Sequence, residues 1–121
     1  MPIRVFHCDD SQAVTHLVEL WLSEHRDIEH VGAAHSAADA LARLPAVAPD
    51  VVLLDTLGRP DDGSLLAAVR AAAPGAAVVV YSGYVRLMRP ADLAGGADAY
   101  VEKGDDEGEL VAAIRRLAIQ R

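Results

Sequence analysis

Val51-Val52-Leu53-Leu54 is apolar at every position and stops abruptly at an aspartate, Asp55. A strand with no alternation of apolar and polar residues must be covered on both faces. That is the condition of a parallel sheet with helices on either side. Parallel neighbours need long crossovers, usually helical, so the flanking sequence should alternate strands with helices.

It does. Ile3 to Cys8 reads as a first strand, halted by the acidic pair Asp9-Asp10. Val14, Leu17, Val18, Trp21 and Leu22 then recur at i, i+3, i+4, i+7 and i+8, the stripe of a helix facing a core. Ile28 to Ala34 is a second strand. Ser36, with Asp39 three residues on, opens a short helix predicted over Ala37 to Leu44, and Pro45 and Pro49 mark the return. Leu65 to Ala73 is helical and ends at Pro74-Gly75, and Ala77 to Tyr81 is a fourth strand running into Ser82-Gly83-Tyr84. A fourth helix is weakly specified, because Pro90 disfavours helix at Arg89 and Gly95-Gly96 end it. Ala99 to Glu102 is the fifth strand. Asp106 to Glu109 cap a last helix that turns Leu110, Val111, Ile114, Leu117 and Ala118 inward. The pattern is (βα)5. It predicts an α/β fold with a doubly wound, five-stranded parallel sheet in the flavodoxin-like order 2-1-3-4-5.

Composition narrows the partners. A length of 121 residues suits one domain, expected over 1–121, and 52% hydrophobic residues can build its core. A net charge of -7 and a pI near 5.0 argue against direct nucleic-acid binding, which needs a basic face. Cys8 is the single cysteine, so no internal disulfide forms and a reducing compartment is expected. No apolar run reaches membrane-spanning length, and the start Met1-Pro2-Ile3-Arg4-Val5 lacks the layout of a signal peptide. The expectation is a soluble, cytoplasmic protein.

In open α/β sheets, ligands sit beyond the carboxyl ends of the strands. The residues just past each strand are Asp9 and Asp10, Asp55, Ser82 and Lys103. Three gathered carboxylates repel, each pair by about 4 kcal/mol at ~4 Å and an effective dielectric of ~20. Either their pKa values rise or a cation sits among them. Hard carboxylate oxygens suit magnesium, Mg2+, which keeps several waters and joins phosphate oxygens. A lysine and a hydroxyl facing such a cluster complete a phosphoryl site. Asp55 projects alone and is the carboxylate able to attack phosphorus, forming an aspartyl phosphate.

The stretches IRVFHCDDS, PDVVLLD, Gly63 eight residues beyond Asp55, VVVYSGY and GADAYVEK come in order along nearly the whole chain. Together they resemble the response-regulator receiver domains of two-component signalling, and "RDIEHVGAA" and "EGELVAAIRRL" are most similar to receivers preceding LuxR-type DNA-binding domains. The resemblance implies that Asp55 is the phospho-acceptor and Asp10 the direct Mg2+ ligand. Asp9 acts beside it, and the backbone carbonyl of Leu57 joins them. It further implies that Lys103 binds the phosphoryl group, that Ser82 moves onto it, and that Tyr100 is the switch aromatic. Leu57 and Tyr84 would border the approach of water, and neither can orient it, which implies slow self-dephosphorylation. The implied partners are a histidine kinase as donor and either an output domain beyond residue 121, acting on transcription, or a protein target. A homodimer formed on phosphorylation is a further implication. Two residues depart from the family pattern: Arg59 stands where proline is usual, with Pro60 one late, and Gly104 follows the lysine.

Plainer readings stand beside these. Any one aspartate could be a helix cap, and Tyr100 could be core packing. His7 reads as a satisfied buried histidine, and His16, His25, His30 and His35 show no metal-ligand spacing. Carboxylates beside Cys8 argue against a reactive thiolate. Asp105, Asp106, Glu107 and Glu109 read as a solvated helix start. A haloacid-dehalogenase-type phosphatase would want Asp-x-Asp after the first strand. An FMN binder would want a Ser/Thr/Gly-rich loop in place of Cys8-Asp9-Asp10. The alternative is a pseudo-receiver that binds partners without phosphorylation, though such domains typically lose a site residue.

Overall fold

The computed structural model describes residues 1–55, 64–83, 97–104 and 106–119. The strands are β1 (Ile3–Cys8), β2 (Ile28–Ala34), β3 (Val51–Leu54), β4 (Ala77–Ser82) and β5 (Ala99–Glu102). The described helices are α1 (Gln12–Ser23), α2 (Ala37–Val47), α3 (Ser64–Ala72) and α4 (Glu107–Ile119). All strand pairs are parallel and the order is β2-β1-β3-β4-β5, as the sequence predicts. The predicted fourth helix, with Pro90, lies outside the described residues. Among those residues, no helix is long and apolar enough to cross a membrane.

β3 lies between β1 and β4, and all four of its residues are buried. Its side chains alternate between two cores. Val51 and Leu53 pack with Val18 and Leu22 of α1 and Ile114 of α4. Val52 and Leu54 pack with Leu44 of α2 and Val69 of α3. Burying each such side chain is worth roughly 1.5–3 kcal/mol, so the uninterrupted apolar run is what a strand covered on both faces requires.

Two helices depart from their sequence patterns. In α1 the row Thr15, Val18, Leu22 is buried, whereas Leu17 is 45% exposed and Val14 and Trp21 are half-buried. A threonine can hold the inner position because its hydroxyl is satisfied, donating to the Gln12 carbonyl and meeting His35 Nε2, both at 3.1 Å. The helix is therefore turned further toward Thr15 than an apolar count suggests.

α2 does not end before Pro45 but runs on to Val47. Proline removes one helical N–H, and here the loss falls in the final turn, where outside partners complete the end. Arg4 of β1 donates to the carbonyls of Val47 at 2.8 Å and Ala48 at 3.0 Å. The Ala48 amide donates to the Leu44 carbonyl at 2.9 Å. Ala48 closes the helix in the left-handed region at φ 47, a conformation that costs a residue with a Cβ about 1–2 kcal/mol. Ala48→Gly should thus raise the unfolding free energy by about 1 kcal/mol, even against glycine's greater freedom in the unfolded chain. Urea titration of the two proteins measures this, and an unchanged or lower midpoint would show that the cap carries no strain.

Candidate functional site

The carboxyl ends of β1, β3 and β5 converge because each strand's next residue is still held by a neighbouring backbone. The Asp9 amide donates to the Ala34 carbonyl at 3.0 Å and the Asp55 amide to the Cys8 carbonyl at 2.9 Å. The Lys103 amide donates to the Ser82 carbonyl at 3.1 Å. These bonds extend the ladders by one residue, so the three side chains leave a rigid platform rather than a loop.

Asp9 and Asp55 are buried and Asp10 is exposed, yet one carboxylate oxygen from each lies within 4.8 Å of the others. Lys103 faces the trio, its Nζ 2.6 Å from Asp9 Oδ2 and 3.4 Å from Asp55 Oδ1. The shorter contact is an ion pair without the direction of a hydrogen bond. The Ser11 amide donates to Asp9 Oδ1 at 2.9 Å. Burial works against ionising Asp9, but His7, Lys103 and the Ser11 amide outweigh it and hold the carboxyl at about 2. Of the two ways out of carboxylate repulsion, the fold uses a cation. Burial likewise works against the Lys103 ammonium, and Asp9 and Asp55 overcome it and raise its pKa.

Burial, with Asp9, Asp55 and Asp10 adding to it, pushes the Cys8 thiol up to about 12. An inert thiol is what the sequence suggests. Ser82 is fully buried at the end of β4. Val80 lies opposite Tyr100 in the β4–β5 ladder, so Val80, Ser82 and the half-buried Tyr100 share one face of the sheet. The structure thus brings together Asp9, Asp10, Asp55 and Lys103, with Ser82 adjoining. Leu57 and Tyr84 lie outside the described residues, as do Arg59, Pro60 and Gly63.

Two neighbours of the site went unassigned from sequence. Ser11 serves Asp9 through its amide and caps α1 through its hydroxyl; a serine before the first helical stripe signals the cap. His7 lies 3.7 Å from Asp9 Oδ2. It is buried as expected but not satisfied, since neither ring nitrogen makes a hydrogen bond among the described residues. Its place two residues before Asp9, on the same face of β1, was the available signal.

The donor set fits Mg2+. Adjacent and opposite ligands on an ion with ~2.1 Å bonds are roughly 3–4 Å apart, so oxygens within 4.8 Å need only small adjustments.

The family model "Response regulator receiver domain" matches residues 5–115. The chain is 31% identical over 120 residues to the response regulator protein VraR of Staphylococcus saprophyticus, covering 96% of this chain and 56% of that protein. It is 36% identical over 118 residues to the transcriptional regulatory protein TrcR of Mycobacterium tuberculosis, covering 96% and 45%. The chain therefore spans about half the length of these curated relatives. The signal receiver domain of NarL from Mycobacterium tuberculosis superposes with a TM-score of 0.83 at 30% identity, over 99% of this chain and 98% of that one.

The low pKa of Asp9 makes a pH prediction. Its ordinary value is 3.8 and its folded value is about 2. The ionised form is favoured by folding, so its contribution is complete above about pH 5 and fades as pH falls through 2. That contribution is on the order of 2 kcal/mol. The stability gap between the parent and Asp9→Asn, measured by urea unfolding in chelator, should narrow by this amount between pH 5 and 2. A gap independent of pH would contradict the ion-paired state.

Proposed function

The chain belongs to the response regulator receiver domains, and from that premise we propose that it accepts a phosphoryl group on Asp55 from a histidine kinase, with Mg2+ bound. The observation that carries this reading is the Asp9-Asp10-Asp55 cluster with the Lys103 ammonium between Asp9 and Asp55. In formal charge, three carboxylates and one ammonium leave -2, which one divalent cation cancels. Asp9, Asp10, Asp55 and the Leu57 carbonyl would hold that cation. When bound, Mg2+ supplies positive charge to the phosphoryl oxygens.

The residues of the chain do the rest. An oxygen of Asp55 attacks phosphorus as the bond to the donor breaks, and the donor leaves with the electron pair. Asp55 sits at the end of a strand buried on both faces, so its carboxylate is held in place for attack. Lys103 turns its ammonium from the carboxylates to the new phosphoryl oxygens, and the Ser82 hydroxyl donates to them. Inward movement of Ser82 vacates space on the face it shares with Tyr100. Filling that space would alter the surface near β5 and α4 and create a homodimer contact. Transcription is the output that the relatives' names suggest, through a domain beyond residue 121. Incubation with Mg2+ and a small phosphodonor should give an acid-stable, base-labile acyl phosphate. Asp55→Asn should abolish it while keeping the parent's circular dichroism. Undiminished labelling of that variant would remove Asp55 as acceptor.

The phosphoryl group should also be long-lived. Leu57 carries no hydrogen-bonding side chain and Tyr84 carries a bulky phenol, so neither position supplies a group to orient water. Leu57→Asn combined with Tyr84→Glu should speed phosphate loss by about tenfold or more, since ~1.4 kcal/mol off the barrier suffices. Decay of the phosphorylated protein after donor removal, in Mg2+, measures this. Equal decay of the double variant and the parent would show that these positions do not gate water.

A further inference from the structure

His7 is fully buried in β1, and neither of its ring nitrogens makes a hydrogen bond among the described residues. It shares one face of the strand with Val5 and Asp9, and its ring centroid lies 6.0 Å from that of Tyr81. A leucine of similar volume would suit that place, whereas a buried imidazole without hydrogen bonds opposes folding. What sets the position apart is the oxygen it faces. His7 Nε2 lies 3.7 Å from Asp9 Oδ2, the same oxygen that the Lys103 ammonium approaches to 2.6 Å. The other oxygen, Oδ1, accepts from the Ser11 amide at 2.9 Å. Two groups therefore converge on Oδ2 from different sides, and Lys103 is the nearer.

We propose that His7 is a positioning residue held in reserve, whose Nε2–H takes over Asp9 Oδ2 when Lys103 turns to a phosphoryl group. The occasion for that turn rests on the phospho-acceptor reading; the pairing itself rests on the geometry of His7, Asp9 and Lys103. One neutral tautomer of the imidazole presents a proton to the carboxylate and the other presents a lone pair, so the charge on Asp9 selects the donor. The 3.7 Å gap needs to close by only about 0.8 Å to reach a hydrogen bond of ~2.9 Å. Lys103 draws Oδ2 its own way, and its departure frees that oxygen. With the Ser11 amide on Oδ1 and His7 on Oδ2, the Asp9 carboxylate keeps its orientation beside the cation site. The ammonium is then released to the phosphoryl oxygens. A leucine in place of His7 would leave Oδ2 buried and charged with no donor, which is costly.

The test is a double-mutant cycle on the unphosphorylated chain in excess Mg2+, with Lys103→Met standing for the departed ammonium. In the parent, His7→Leu should leave the urea midpoint unchanged or raise it, because an unpaired imidazole is removed. In Lys103→Met, the same substitution should raise the unfolding constant about tenfold or more, the loss of one hydrogen bond to a charged group. His7→Gln, whose amide can reach the same oxygen, should recover most of that loss. Equal effects of His7→Leu in both backgrounds, or no recovery by His7→Gln, would overturn the proposal. Histidine NMR of the parent needs no substitution. On adding Mg2+ and beryllofluoride, a stand-in for the phosphoryl group, the His7 Hε2 proton should shift downfield as it enters the bond. If fluorine NMR shows beryllofluoride bound and that proton unmoved, the proposal fails while the acceptor reading stands. If beryllofluoride does not bind, the acceptor reading fails and the cycle alone decides the His7 pairing.

Discussion

The ammonium of Lys103 is the contact on which the carboxyl end of the sheet depends. It comes from the end of β5 and reaches past the end of β4 to Asp55 and, farther in, to Asp9. Without it, three neighbouring carboxylates would each face the others at a cost of about 4 kcal/mol per pair. A domain of this size has only about 5–15 kcal/mol of net stability. One cation cannot neutralise three anions, but it turns an intolerable cluster into a tolerable one and leaves a charge deficit that a divalent ion can fill. With His7 and the Ser11 amide, the same pairing keeps Asp9 ionised in a fully buried position.

That arrangement requires a rigid base, which comes from burial. β1, β3 and β4 are packed on both faces, and polar side chains in them are confined mostly to the strand ends. His7 is the exception, buried in β1 beside Asp9 with neither ring nitrogen hydrogen-bonded among the described residues. The ladder bonds of Asp9, Asp55 and Lys103 continue past the strands, so the site inherits the stiffness of the sheet. Tyr100 and Glu102 of β5 are half-buried, in keeping with a strand that has a ladder on one side among the described residues. Stiff geometry at the centre and a less enclosed strand bearing Tyr100 are what the proposed phosphoryl acceptance and switching would use.

The helical departures share one cause: apolar periodicity counts side chains but not hydrogen-bond partners. Thr15 is buried because Gln12 and His35 satisfy its hydroxyl, which turns Leu17 outward. Pro45 fails to stop α2 because Arg4, far away in sequence, takes the last carbonyls. Neither His35 nor Arg4 can be read from the helix's own residues. The β2 bulge is a similar case, since an extra residue at Val31 is defined only by its partner strand.

The order of strands and helices, the covering of β3 on both faces and the identity of the polar residues at the strand ends were legible in the sequence. They depend on periodicity and on which residue follows an apolar run, both local properties. Two neighbours escaped that reading, the Ser11 amide and the unsatisfied His7, because their value lies in what they touch. Only the tertiary structure decided that Lys103 rests between Asp9 and Asp55 and that Asp9 rather than Asp10 is buried. Which side chains meet is set by strand register and helix rotation, which minimise buried polar and charged cost over the whole fold rather than within any one segment.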